Sequence, residues 1–402
     1  MKIRTTVNRE LRALWTGGTG PSLVVIATTW GMLVGTRMVY PVVLPYLQDA
    51  YGFSLAVSGV LVSVLWLFGS LGQLPGGVLA DRYSERSIMA ASTAIVAVGL
   101  GFVVTAPTTA VVFLATALWG IGLSLYPIAR ITVLSDLYTE RLGSALGVTM
   151  ATGDIGQTVL PPIATVLAVA IAWQAGLGFV IPLLLLGGVA IYVTVPALTG
   201  ASGAESTETR SLRETLEIAG QLRNPAMAFM TGILFLYILI WQSFTAFYPT
   251  YLTSIKGHSP SVSSLLFGLF FAVGVVLKPI AGAAYDRIGM RIALIAILLP
   301  SVVGFGFLPL VDSVPLLAIA TACISTMLGT GAVTQSYLAD AFSDDLQGTG
   351  LGVVRTATAT LGSAGAIVFG VVADAGYFDE GYLALSLVMV VVILLTVRSP
   401  SS

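Results

Sequence analysis

Apolar residues fall into twelve runs along the chain. They lie at about 22–47, 54–79, 87–106, 109–134, 144–169, 173–197, 226–252, 261–284, 291–310, 314–338, 349–373 and 380–397. Most are long enough to cross about 30 Å of hydrocarbon at about 1.5 Å of rise per residue. Gly and Pro are frequent inside them, which bilayer helices tolerate where neighbours cover the backbone. The pattern predicts an all-α membrane protein of twelve transmembrane helices. The one substantial polar stretch is 198–225. Its first part, Thr199 to Thr209, has the composition of a flexible linker. Ser211 to Leu222 then places Leu212, Leu216 and Ile218 at helical spacing, which predicts a short helix lying on the membrane surface.

The runs repeat. GVLADRYSER (Gly77 to Arg86) recurs as GAAYDRIGMR (Gly282 to Arg291), 205 residues later, each copy reading as a short charged loop between two apolar runs. At the same offset Gly52 matches Gly257, Ser54 matches Ser259, Ser58 matches Ser263 and Gly69 matches Gly274; Gly143 and Gly147 match Gly348 and Gly352. Two six-helix bundles in parallel orientation are the simplest architecture, a plan that usually places a substrate path between the halves. The expected divisions are an N-terminal segment 1–21, a first bundle 22–197, a linker 198–225, a second bundle 226–397 and a tail 398–402.

Charge gives the orientation. With the N-terminus in the cytoplasm, the inner side carries Lys2, Arg4, Arg9, Arg12, Arg82, Arg86, Arg141, Arg210, Arg213, Arg223, Arg287, Arg291 and Arg398, and the outer side only Lys256. That imbalance predicts a multi-pass protein of the cytoplasmic membrane with both termini inside. Composition agrees: 56% of residues are hydrophobic and 9% charged, too few to cover a soluble surface. A net charge of −1 without a basic stripe gives no reason to expect a nucleic-acid partner. One cysteine, Cys323, excludes a disulfide within the chain and a CxxC site. With one histidine, His258, no His-rich metal cluster and no cofactor are expected. No removable signal peptide is expected, because the first apolar run is long enough to stay in the bilayer.

At this point the chain resembles the major facilitator superfamily. The resemblance rests on the loop pattern G-x-x-x-D-R-x-G-R-R, of which both halves carry a version. The first departs at Ser84 and Glu85, the second at Met290. The run Gly153 to Pro162 is similar to the family's Gly/Pro-rich fifth helix. The resemblance implies secondary active transport by alternating access, with a site near mid-membrane and a single chain as the working unit. No Walker-type phosphate loop is present, which fits transport driven by a gradient. Gly77, Asp81, Arg82, Arg86, Gly282, Asp286, Arg287 and Arg291, with the acids Asp136 and Asp340, are then candidates for latches that hold one state, or for simple anchors of helix ends.

Inside the apolar runs lie Arg37, Arg130, Lys278 and Arg355, and one acid, Asp154. Each ionisable group at the bilayer centre costs about 2.5–3.5 kcal/mol on insertion scales, so each needs a partner or a wet cavity. An excess of buried positive charge suits a carrier of anions, because the substrate supplies the missing negative charge. At the 205 offset Arg37 matches Gln242 and Lys278 matches Gln73, so each half offers a cation where the other offers a neutral amide. The stretch Lys278 to Arg287 is similar to the helix 8 pattern R-P-x-x-G-x-x-x-D of monocarboxylate and oxalate/formate carriers, which implies a contact with the substrate carboxylate; Lys lacks the bidentate fork of Arg. Arg130 is a substrate contact or a partner of Asp154 or Asp136. Arg355 is a substrate contact or a latch to Asp81. Asp154 is a proton carrier or the permanent partner of Arg130. Gln157, Gln335, Trp241 and Tyr126 complete the expected lining.

The expected partners are therefore a small anionic molecule, a coupling proton or counter-ion, and the lipid bilayer. Rival readings are an exporter of drug-like compounds by proton antiport, a nitrate-like carrier of inorganic anions, and a receptor that transports nothing. Drug antiporters of the superfamily typically carry R-x-x-Q-G on the fourth helix, where TALWG (Thr116 to Gly120) stands here. An enzyme has little support: HExxH and GxSxG are both absent, and His258 falls in an expected outer loop.

Overall fold

A computed structural model describes residues 14, 15, 18–73, 83–197, 225–341 and 347–398. With no water in hydrocarbon to serve the backbone, helices are the economical solution, and the described residues form a helix over every predicted run. They are α1 (Gly20–Tyr51), α2 (Leu55–Leu71), α3 (Glu85–Val104), α4 (Thr109–Leu137), α5 (Leu142–Ala170) and α6 (Trp173–Gly178 and Val180–Thr194). α7 is Pro225–Ser254, and Pro260–Phe307 holds α8 and α9 on either side of Gly289. α10 runs through Val314–Ser325, a tight turn Thr326–Gly329 and Thr330–Ala341; α11 is Gln347–Gly362 with Ala364–Asp374, and α12 is Phe378–Arg398. The surface helix expected at 211–222, the rest of the 198–225 linker and most of the N-terminal segment lie outside the described residues. Large apolar side chains remain exposed along α5 and α6, among them Val166, Leu186 and Val193, as a lipid-facing surface requires.

The second charged stretch is not the loop expected. α8 continues helically past Asp286 and Arg287, and only Gly289 leaves helical geometry, at φ 76° and ψ 166°. A left-handed residue there strongly favours Gly. In the first copy the corresponding residue is Ser84, at φ −63° and ψ 137°, which begins α3 as its N-cap. The departure of Ser84 from the family pattern fits its backbone, because Ser84 does not stand at positive φ.

The repeat is physical as well as sequential. Gly52 and Gly257 both stand at φ 69°. Thr116 on α4 donates to the Val112 carbonyl and takes the hydroxyl of Tyr40 from α1 at 2.6 Å. Thr321 on α10, 205 residues on, donates to the Leu317 carbonyl and takes the hydroxyl of Tyr248 from α7. Gly99 lets α3 lie against Trp119, and Gly304 lets α9 lie against Ile324 at the same offset.

The chain divides into two compact units. One comprises Met1–Tyr40 with Phe68–Ala204, the other Pro41–Leu67 with Glu205–Ser402. In the first, α1 and α5 cross backbone to backbone. A Cβ on Gly156 would lie 2.0 Å from the Gly31 carbonyl oxygen, and one on Gly35 would lie 2.5 Å from the Gly156 oxygen. In the second, the end of α1 and most of α2 pack with α7 and α11. A Cβ on Gly59 would lie 2.3 Å from the Ala366 oxygen. α11 breaks at Ser363, and its carbonyl accepts the Ser63 hydroxyl at 2.6 Å. The Asp374 carboxylate accepts from the Leu55 N–H at 3.0 Å, at the start of α2. The interior of this unit is aromatic: Phe244 packs on Phe270 at 4.9 Å and Phe369 on Tyr382 at 5.0 Å.

Beyond α7, Lys256 donates to the Asp312 carboxylate and to the Pro309 carbonyl, both at 2.8 Å, and His258 Nε2 bonds the Asp312 carbonyl. The hydrogen bond from Lys256, then its charge, hold the Asp312 carboxyl below its ordinary range. Asp312 is exposed, so solvent screens most of this pair.

Two outcomes are expected. Gly156→Val should lower thermal stability by about 3 kcal/mol or abolish folding, since the crossing has no room to relax, whereas Gly147→Ala, with open space around it, should be neutral; fluorescence-detected size exclusion after heating measures both. The Asp312 contribution is present above the ordinary carboxylate value and lost as pH falls through its depressed value. Asp312→Asn should therefore melt slightly below wild type at about pH 6, and the difference should shrink as the pH falls below the ordinary carboxylate value.

Candidate functional site

Two of the candidates in the first unit, Arg130 and Tyr126, form one stack with Trp30 of α1. Arg130, on the second half of α4, is buried, and its guanidinium lies 4.0 Å over the Trp30 ring of α1. Trp30 stacks on Tyr126 at 6.0 Å and 18°. Arg130 Nη1 donates to Thr149 Oγ1 of α5 at 3.1 Å, and Thr149 donates to the Leu146 carbonyl. The Tyr126 hydroxyl donates to the Ile26 carbonyl at 2.9 Å. Gly153 makes the stack fit, since a Cβ there would lie 2.9 Å from Trp30 Nε1. A cation over an indole face away from water gains about 2 kcal/mol, a substantial part of what burial costs it. One turn along α5, Asp154 is buried and accepts from Gln157 Nε2 at 3.3 Å.

Arg37 is half-buried, two residues beyond the Gly35 contact with α5 and near the middle of the 32-residue α1. Gln73, at the end of α2, folds its amide back to the Gly69 carbonyl at 3.3 Å. In the second unit Lys278 is half-buried on α8, Gln335 is half-buried on α10, and Arg355 is exposed on α11. On α7, Trp241 meets Trp66 of α2 edge to face at 4.9 Å and 74°. Gln242 is 1% exposed and donates its amide to the Ala359 carbonyl of α11 at 3.4 Å.

The latch candidates divide. Gly77, Asp81 and Arg82 lie outside the described residues, as does the side chain of Asp340, so the expected Arg355–Asp81 contact has no described counterpart. Arg86 places its guanidinium 4.8 Å over the Tyr192 ring of α6, a contact within the first unit. Asp136, Asp286, Arg287 and Arg291 are exposed, and Gly282 is half-buried.

Sequence reasoning missed Trp30, Thr149, Ser63 and Trp66. Trp30 carries no pattern linking it to Arg130, 100 residues away. The crossing of α1 and α5 did leave a signal in the four-residue spacing of Gly31 and Gly35.

The model of the Major Facilitator Superfamily matches residues 25–366 and 230–402. The hexuronate transporter of Bacillus subtilis is 22% identical over 368 residues, covering 86% of this chain and 86% of that one. The probable nitrate transporter NarT of Staphylococcus epidermidis is 20% identical over 311 residues, covering 77% of this chain and 78% of that protein. Among solved structures, a mutant of the nucleoside transporter NupG superposes with a TM-score of 0.82 at 14% identity, covering 94% of this chain and 99% of that one. A bacterial homologue of the human lysosomal transporter Spinster, inward-facing and occupied, gives 0.79 at 14% identity, covering 94% and 96%.

The stack predicts its own test. Trp30→Leu should destabilise the purified protein by about 2 kcal/mol and Trp30→Phe by less than half of that, because Phe keeps a π face for Arg130; thermal unfolding followed by near-UV circular dichroism measures both.

Proposed function

The chain belongs to the Major Facilitator Superfamily, and on that basis we propose that it carries a small organic anion of the carboxylate class across the cytoplasmic membrane, by proton symport or exchange through alternating access. The observation that carries the proposal is the charge inside the spans. Among the described residues, Arg37, Arg130, Lys278 and Arg355 lie away from helix ends, with Asp154 the acid found there. A bilayer protein keeps such a surplus of cations where function needs it, and an anionic substrate is the partner that balances it.

Arg37 and Lys278 are the contacts we assign to the substrate. The stack on Trp30 and the bond to Thr149 assign Arg130 a positioning role. Asp154 is assigned the coupling proton, with Gln157 steadying the carboxylate. The names of the relatives support an anion: nitrate for one, hexuronate for another. They also support a second reading, an inorganic anion carrier. Export of drug-like cations is disfavoured by Thr116. It stands where drug antiporters typically carry Arg, and here it is fully buried and bonded to Tyr40, with no room for a long side chain. The positive-inside imbalance supports both termini in the cytoplasm.

A thermal-shift screen of carboxylates, phosphate and nitrate on the purified protein, followed by uptake into proteoliposomes, tests the reading. Carboxylates should stabilise the protein, and Arg37→Gln and Lys278→Ala should each lower uptake by about tenfold or more. Stabilisation by cationic or neutral lipophiles alone, with Lys278→Ala inert, would defeat it. Asp154→Asn should abolish uptake driven by a proton gradient and spare exchange.

A further inference from the structure

We infer that the second unit contains a subsite for hydroxyl groups, formed by Trp241 and Gln242 of α7 with Thr360 of α11, and that the carried anion is polyhydroxylated. The inference rests on the anion reading above for the word anion only; the subsite stands on its own geometry.

Three buried polar atoms carry the subsite. Trp241 Nε1, Gln242 Oε1 and Thr360 Oγ1 are each buried and bonded to nothing in the described structure. Buried polar atoms are nearly always satisfied, and these three lie on residues that the fold links: Trp241 and Gln242 are consecutive on α7, and Gln242 bonds Ala359, the residue before Thr360. The Gln242 amide is not free to turn round. One side of it faces the Ala359 carbonyl, which accepts only, so the NH₂ must point there and the oxygen is left over. The remaining atoms are therefore of defined sense: an indole N–H that gives, an amide oxygen that takes, and a hydroxyl that does either. A substrate hydroxyl complements this set, because it accepts from Trp241 and donates to Gln242. Nitrate has no proton to give to Gln242, and neither has a plain carboxylate.

The atoms are covered in this conformation. Trp66 lies edge to face on Trp241, and α2 meets α11 through Gly59 against Ala366 and the Ser63–Ser363 bond. That seam is built on small residues, with the Ser63–Ser363 bond inside it and the Leu55–Asp374 bond at its end. A substrate that satisfies Trp241 and Gln242 favours the conformation in which α2 stands away from them. The unsatisfied atoms disfavour the covered conformation once the substrate has left.

Isothermal titration of the purified full-length protein with gluconate, hexanoate and sorbitol tests this. The ratio of affinities is the readout, because a conformational equilibrium scales all ligands alike. Gluconate should bind at least about tenfold more tightly than hexanoate, and Gln242→Leu and Trp241→Phe should each remove about tenfold from gluconate while leaving hexanoate unchanged. Two variants are used so that a folding defect in one does not decide the result. Equal affinity for gluconate and hexanoate, unchanged gluconate binding in both variants, or no binding of either gluconate or sorbitol overturns the subsite. Sorbitol binding as tightly as gluconate, with the same sensitivity to both variants, supports the subsite and overturns the anion reading instead.

Discussion

The backbone of a chain in hydrocarbon has no water to bond, so each segment closes its own hydrogen bonds as a helix, and helices then meet where backbones can touch. Small residues decide those meeting points. Gly31, Gly35 and Gly156 set the crossing of α1 and α5, and Gly59 with Ala366 sets that of α2 and α11. These crossings also position the candidate groups. Arg37 follows Gly35 by two residues, Asp154 precedes Gly156 by two, and Trp241 meets the helix that Gly59 brings in.

Charge inside such a structure is managed locally before it is used. Arg130 is cushioned by an indole face and a threonine hydroxyl, and Asp154 is held by an amide. Lys256 and Asp312 do the same work in a loop, where water makes the pair cheap. Ser363's freed carbonyl is satisfied by Ser63, yet Trp241 and Gln242 keep atoms in reserve.

Much of this was legible in the residues themselves. The twelve runs, the 205 offset and the identity of the intramembrane charges all follow from patterns that the bilayer enforces on any chain. The Gly52–Gly257 match carries through to geometry, both standing at φ 69°, and the structure adds a parallel the residues did not announce in Thr116 and Thr321. Other features were not legible, because they depend on rotation about a helix axis. Tyr126 reads as a cavity hydroxyl in the sequence and lies under Trp30, bonded to Ile26. The second charged stretch reads as a loop, yet one residue, Gly289, makes the whole turn.

The sequence alone therefore determined that this chain carries twelve apolar runs in two related halves and which charges lie inside them, because hydrophobic length and repetition are one-dimensional properties. Tertiary structure decided which of those groups serve one another. Whether Arg130 faces Trp30, or Gln242 faces Ala359, depends on helix phase and crossing distance, and these are fixed only when small residues on different helices come into contact.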